Sequence, residues 1–241
     1  MKKILISILL VFLSLPSALG LTRTDSLIVF VGEKIYVKSS PEEKKPSIDT
    51  IIEGNKTRYV TNVSLSLDGR YIAKYKILQL VHGSYRADTI EFIVFAHEGV
   101  PEFSNHQTVL LFVTKDNGKI YHEKYQYFKL YMTEKGKWAS PYSSPDYNHP
   151  FKDSITVKPE KIAFIGDVSF PIDKYTSNNR YTLYPEPFYE IKNGRATAIY
   201  GNYVDDLFKL KLQTVLKARG MPIDELLKMM KTIPAGMVEK K

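Results

Sequence analysis

The chain is predicted to be mainly β, α+β overall: a small, closed or nearly closed antiparallel barrel followed by a C-terminal helical extension. Three observations predict it. Between Arg70 and Met132 the sequence passes through stretches rich in Tyr, Phe, Ile and Val, separated by turn residues. With the runs at Leu27–Val37 and Tyr59–Leu67 they make five or six strands, and the longest changes phase midway, as a strand does when it turns a barrel corner. From Asn202 onward the apolar residues recur at helical spacing instead.

The chain opens on a targeting pattern. Lys2 and Lys3 precede an apolar run from Ile4 to Leu15, broken only by Ser7 and Ser14. Pro16 ends it, and Ala18-Leu19-Gly20 offers small residues at the two positions a signal peptidase reads. Residues 1–20 are therefore expected to be a signal peptide cleaved near Gly20. The run is shorter than the roughly 20 residues a spanning helix needs, and no later run reaches that length, so no transmembrane span is expected in the mature chain. The expected location is the periplasm or the medium outside the cell. With no cysteine anywhere, a lipid anchor after the cleavage site, disulfides, thiol catalysis and thiolate zinc sites are all excluded. Net charge is +8, and loss of the two leader lysines brings it to +6. Outside the cytoplasm the anionic partners for such a chain are membrane surfaces, acidic glycans and acidic proteins; nucleic acid is not expected.

Residues 21–139 are read as the barrel domain. Leu27 to Val37 starts as a continuous apolar run and then alternates, with Gly32 marking a bulge or bend. Ser39 to Asn55, with Pro41, Pro46, Gly54 and many charges, reads as an exposed loop. Tyr59, Thr61, Val63, Leu65 and Leu67 alternate as a half-buried strand, and Asp68-Gly69 predicts a hairpin turn to a return strand carrying Tyr71, Ala73, Tyr75 and Ile77. Leu78, Leu80 and Val81 make that strand apolar on both faces, which places it centrally. Ile90, Phe92 and Val94 form one face of the next strand. His97 to Gln107 is a polar loop, and Val109 to Val113 a further strand. Asp116-Asn117-Gly118 predicts a hairpin. In Ile120 to Met132, parity puts Tyr121, Tyr125 and Tyr127 on one face, and a bend or bulge is expected near the middle.

Ser140 to Pro150 is read as a linker or long loop, from its Ser, Pro and Tyr content. Residues 151–241 are read as an irregular β segment, with strands near Ile162–Phe170 and Ala196–Tyr200, then helices packing on the barrel. Asn202 is the predicted cap. Leu207, Phe208, Leu212, Val215 and Leu216 share the apolar face, and Arg219-Gly220 stops the helix. A second short helix is expected from Pro222.

The stretch Tyr71 to Phe95, together with Phe30-Val31-Gly32-Glu33-Lys34-Ile35, resembles paired strands of netrin-like domains and tissue inhibitors of metalloproteinases. The resemblance covers roughly residues 27–114 and implies an OB-like barrel. It does not carry over the family's inhibitory mechanism, which uses an N-terminal cysteine this chain lacks. The whole chain also resembles exported proteins of Gram-negative bacteria, which implies an envelope location.

Two candidate sites follow. Tyr71, Tyr75, Tyr121, Tyr125 and Tyr127, with Lys74 and Lys124 nearby, suit a glycan, a peptide or an envelope protein, held by ring stacking and charge-assisted hydrogen bonds. Tyr131 belongs to the same set. The alternative is a metal-assisted hydrolase in which His97, Glu98, His106 and His122 converge at one barrel end, a donor set suited to zinc. Strand alternation works against it by sending His97 and Glu98 to opposite faces. No nucleophile elbow, phosphate loop, dinucleotide fingerprint or helical zinc motif is present. The expected function is accordingly that of an exported, non-catalytic binding or interaction protein, with no catalytic residue assigned and no cofactor.

Overall fold

A computed structural model describes residues 27–41, 47–54, 56–62, 67–173 and 176–221. The expected signal peptide and the short helix expected from Pro222 lie outside the described residues.

The described chain is mainly β, with a closed five-stranded barrel and a short helical end. Its first strand, β1 (Leu27–Ser39), is followed by a separate hairpin of β2 (Ser47–Glu53) and β3 (Lys56–Asn62). Then come β4 (Gly69–His82), β5 (Thr89–Ala96), β6 (Thr108–Asp116) and β7 (Lys119–Lys129). The barrel order is β1-β4-β5-β7-β6, with β6 returning to β1. All pairings are antiparallel except β5 against β7, which touch in parallel at Ile93 and Tyr121. The β6–β7 turn uses positive φ at both Asn117 and Gly118, as the sequence predicts.

Alternation builds the barrel interior. Ile28, Phe30, Ala73, Tyr75, Ile90, Phe92, Val94, Val109, Leu111 and Val113 form one buried cluster, closed at one end by Phe103 from the 3₁₀ turn Glu102–Asn105. Gly32 sits at a register shift between β1 and β4, where a Cβ would lie 2.8 Å from the Phe30 ring. The continuous apolar run of β1 has a second use. Leu27, Val29 and Val31 face outward, with Leu110, Phe112 and Phe128, onto the C-terminal helices.

The remaining strands are short: β8 (Tyr131–Met132), β9 (Trp138–Pro141), β10 (Glu160–Lys161), β11 (Ser169–Pro171), β12 (Tyr189–Lys192), β13 (Arg195–Ala198) and β14 (Tyr200–Tyr203). They form two small sheets, β10-β14-β9-β8 and β11-β13-β12. Among them lie the helical turn α1 (Ser144–Tyr147) and α2 (Ser177–Leu183), and after them come α3 (Val204–Gln213) and α4 (Val215–Ala218). Leu207, Phe208, Leu212 and Leu216 are buried against the outer wall of β1 and β6, as the helical spacing predicts.

Four sequence expectations are corrected, the first being that Ser39 to Asn55, read as an exposed loop, contains strand β2. Among the described residues β3 pairs only with β2, and no hairpin at Asp68-Gly69 pairs it with β4. Both edges of β4 are already taken, Tyr71 pairing with Ser39 of β1 and Gly69 with Ala96 of β5. β4 is central, as expected, lying between β1 and β5; at its end Val81 packs against the helical cluster, while Leu78 and Leu80 are exposed. The stretch read as a linker from Ser140 starts in β9 and continues into α1, with Ser140 and Pro141 buried. The cap of α3 is Tyr203; Asn202 instead accepts from the Tyr147 hydroxyl at 2.9 Å and donates to the Lys158 carbonyl at 3.2 Å.

Candidate functional site

The site grows from one irregularity in β7. Pairing with β6 runs regularly from Asp116↔Lys119 to Val113↔His122, then resumes at Leu111↔Tyr127. Phe112 alone therefore opposes the four residues from Glu123 to Gln126. Such a bulge bends its strand and re-aims side chains. Parity shifts across it, so Tyr121 lies on the outer wall against Phe95 while Tyr127 packs with the interior cluster. This corrects the expectation that Tyr121, Tyr125 and Tyr127 share a face. At the crest, Tyr125 takes φ +65° and stays 61% exposed. A bulky residue in the left-handed region is a strained outlier, and such strain gathers at functional sites.

A chain of polar contacts holds the bulge in place. Buried Glu123 accepts hydrogen bonds from the Thr114 hydroxyl and the Arg219 guanidinium. Arg219 also donates to the Lys124 carbonyl at 2.7 Å. Lys124 Nζ donates to Asp68 at 2.6 Å, and that hydrogen bond, helped by the Lys124 charge and the His97 Nδ1 contact at 3.3 Å, holds the Asp68 carboxyl below the usual range. Inside the bulge, His122 Nε2 lies 2.9 Å from the Gln126 carbonyl. A carbonyl only accepts, so the neutral ring carries its proton on Nε2 and leaves Nδ1 as an acceptor. Burial among Phe92 and Phe103 pushes the His122 pKa down to about 4, only partly opposed by the Gln126 carbonyl and Glu123. At neutral pH the ring is uncharged. Two buried polar atoms, the Tyr75 hydroxyl and Gln126 Oε1, have no partner among the described residues.

Tyr125 and Tyr127, with Glu102, form the wall between two cavities. The smaller, about 380 Å³, is lined by Phe95, His97, Glu98, Glu102, Phe103 and His122 as well as the two tyrosines. The larger, about 490 Å³, runs toward the small sheets and is lined by His106, Lys129, Tyr142, Asp146, Tyr184, Tyr189 and Lys211. Burial raises the Tyr127 pKa, as does the hydrogen bond its hydroxyl gives Glu102. Lys211 is neutralised by Asp146 at 2.5 Å. Lys129 rests 3.7 Å from the Phe170 ring centroid, and burial lowers its pKa. Rings, hydroxyls and a few fixed charges of this kind suit recognition by stacking and directed hydrogen bonds.

The structure thus brings together Tyr125 and Tyr127 from the tyrosine set, with Lys124 flanking them. Tyr75 is buried inside the barrel and Tyr71 packs half-buried against the same cluster. Lys74 sits on the outer wall opposite Glu91, and Tyr121 on the outer wall of β7. Of the alternative metal set, His97, Glu98 and His122 line the smaller cavity while His106 lines the larger, its ring 6.2 Å from Tyr127. Among the described residues no group of three or more His, Cys, Asp or Glu is placed to hold a metal ion. Sequence reasoning missed Glu102 and Phe103, which a polar loop hides, and the later tyrosines Tyr142, Tyr184 and Tyr189. The aromatic density of residues 142–189 was the available signal.

Comparison with known proteins finds no matching family model, no matching curated protein and no matching solved structure.

Proposed function

We propose that the chain is an exported, non-catalytic binding protein of the cell envelope, and that it binds its ligand over Tyr125. The observation that carries this reading is the placement of Tyr125: a strained, exposed aromatic at the crest of a pinned bulge, walling two cavities at once. Holding a large ring out to solvent in a disfavoured backbone conformation costs stability, and a binding role accounts for that cost. The barrel is read as OB-like. Supporting this are its order of first, second, third, fifth and fourth strands and the parallel contact between third and fifth. Barrels of this type bind on an open face and its flanking loops. Export rests on residues 1–20. The ligand classes that fit the cleft are glycans, peptides and a segment of an envelope protein.

The test compares the wild-type chain with Tyr125→Gly against a defined panel of envelope glycans and capped peptides. Glycine is at ease at φ +65°, so the variant is expected to fold at least as stably, within about 1 kcal/mol. It should nevertheless lose most of its affinity. Binding that survives the substitution, or no binding to any panel member, refutes the proposal.

A further inference from the structure

We infer that the smaller cavity recognises a cationic group, the ammonium or guanidinium of a lysine or arginine in a peptide segment. This rests on the binding reading of Tyr125 and specifies its ligand. The net charge of the protein is +8, yet the cavity wall reverses that sign. Its formally charged groups are Glu98 and Glu102, and among the described residues no lysine or arginine lines it. Four aromatic residues complete the wall: Phe95, Phe103, Tyr125 and Tyr127. Carboxylates beside aromatic rings are the arrangement that attracts a partly desolvated cation, through the ring quadrupole and charge-assisted hydrogen bonds.

Three local details strengthen this. Of the two imidazoles in the wall, His122 is neutral at pH 7 and so does not repel a cation, and His97 sits 3.3 Å from the Asp68 carboxylate. The cations around the bulge are already committed, Lys124 to Asp68 and Arg219 to Glu123. Lys124 Nζ also lies 5.2 Å from the Tyr125 ring centroid, so the chain itself already sets a cation over this ring. A long, unbranched cationic side chain suits a cavity of about 380 Å³ whose carboxylates lie around apolar walls.

The experiment titrates the full exported chain with a capped Gly-Arg-Gly-Lys-Gly peptide, its Gly-Glu-Gly-Glu-Gly counterpart and glucosamine, by calorimetry at low and high salt. Glu98 is exposed, so Glu98→Gln should not perturb folding; Glu190→Gln on β12 serves as a remote control. The basic peptide should bind and weaken with salt. It should lose roughly five- to tenfold affinity in Glu98→Gln and none in Glu190→Gln, while the acidic peptide fails to bind. The inference is overturned if the acidic peptide binds as tightly, or if Glu98→Gln leaves affinity unchanged. Glucosamine binding without peptide binding overturns the assignment to a peptide. A neutral ligand bound in a Tyr125-dependent way, without charge preference, sinks this inference and leaves the proposed function standing.

Discussion

Protonation of His122 should be a principal acid trigger for unfolding, and its size follows from the geometry. The ring sits against Phe92 and Phe103, and its Nε2–H is spent on the Gln126 carbonyl. Its pKa is lowered from the ordinary 6.5 to about 4 in the folded state. Between those two values the unfolded chain binds a proton that the folded chain refuses. Stability is therefore fully present above about pH 6.5 and is lost as pH falls toward 4. At about 1.4 kcal/mol per tenfold change, the loss between pH 7 and pH 4 is roughly 3 kcal/mol, a large fraction of a domain's stability. Carboxylates titrate in the same range, so the assay must isolate the histidine. His122→Gln places a neutral amide nitrogen near the Nε2 position. Urea unfolding of both proteins from pH 7.5 to pH 4 should show the wild type losing about 3 kcal/mol more than the variant. Parallel curves for the two proteins would refute the assignment of a desolvated, neutral ring.

Two further outcomes test the frame around the site. Arg219→Ala should destabilise by about 3 kcal/mol in urea unfolding, because it strands the buried Glu123 carboxylate; Arg219→Ala combined with Glu123→Gln should recover part of that loss, and a double variant no better than the single one would refute the pairing. Gly32→Ala should cost about 1–3 kcal/mol, since the added methyl lands 2.8 Å from the Phe30 ring and 3.0 Å from the Tyr75 ring; an unchanged thermal midpoint would show that β1 is not packed this tightly.

What was legible in the sequence was whatever depends on local chemistry. Asn117-Gly118 fixed its own turn, Gly32 its register shift, and the spacing of Leu207, Phe208, Leu212 and Leu216 their helical face. The phase change in Ile120–Met132 announced a bulge, but not its length. Parity counting across three extra residues, an odd number, therefore put Tyr121 and Tyr127 on one face, whereas the fold separates them. Pairing was the least legible level. Asp68-Gly69 carries good turn chemistry, yet β4 pairs with β1 and β5, partners set by long-range closure of the barrel. The candidate site lay between these extremes. Tyr125, Lys124 and the smaller-cavity residues His97, Glu98 and His122 were all named from the sequence. Glu102, Phe103 and Tyr184 come into position only through tertiary contacts.

Arg219 is separated from Glu123 by 96 positions, and that interval sets a timetable. A polypeptide delivered from its N-terminus can close the five barrel strands while its last helices are still to come. Over that interval Glu123 lacks its cation, and the segment bearing Tyr125 lacks its fastening. Under the proposed function, recognition would mature last, when the tail docks, and a chain cut short of its last helices would own the scaffold without the grip.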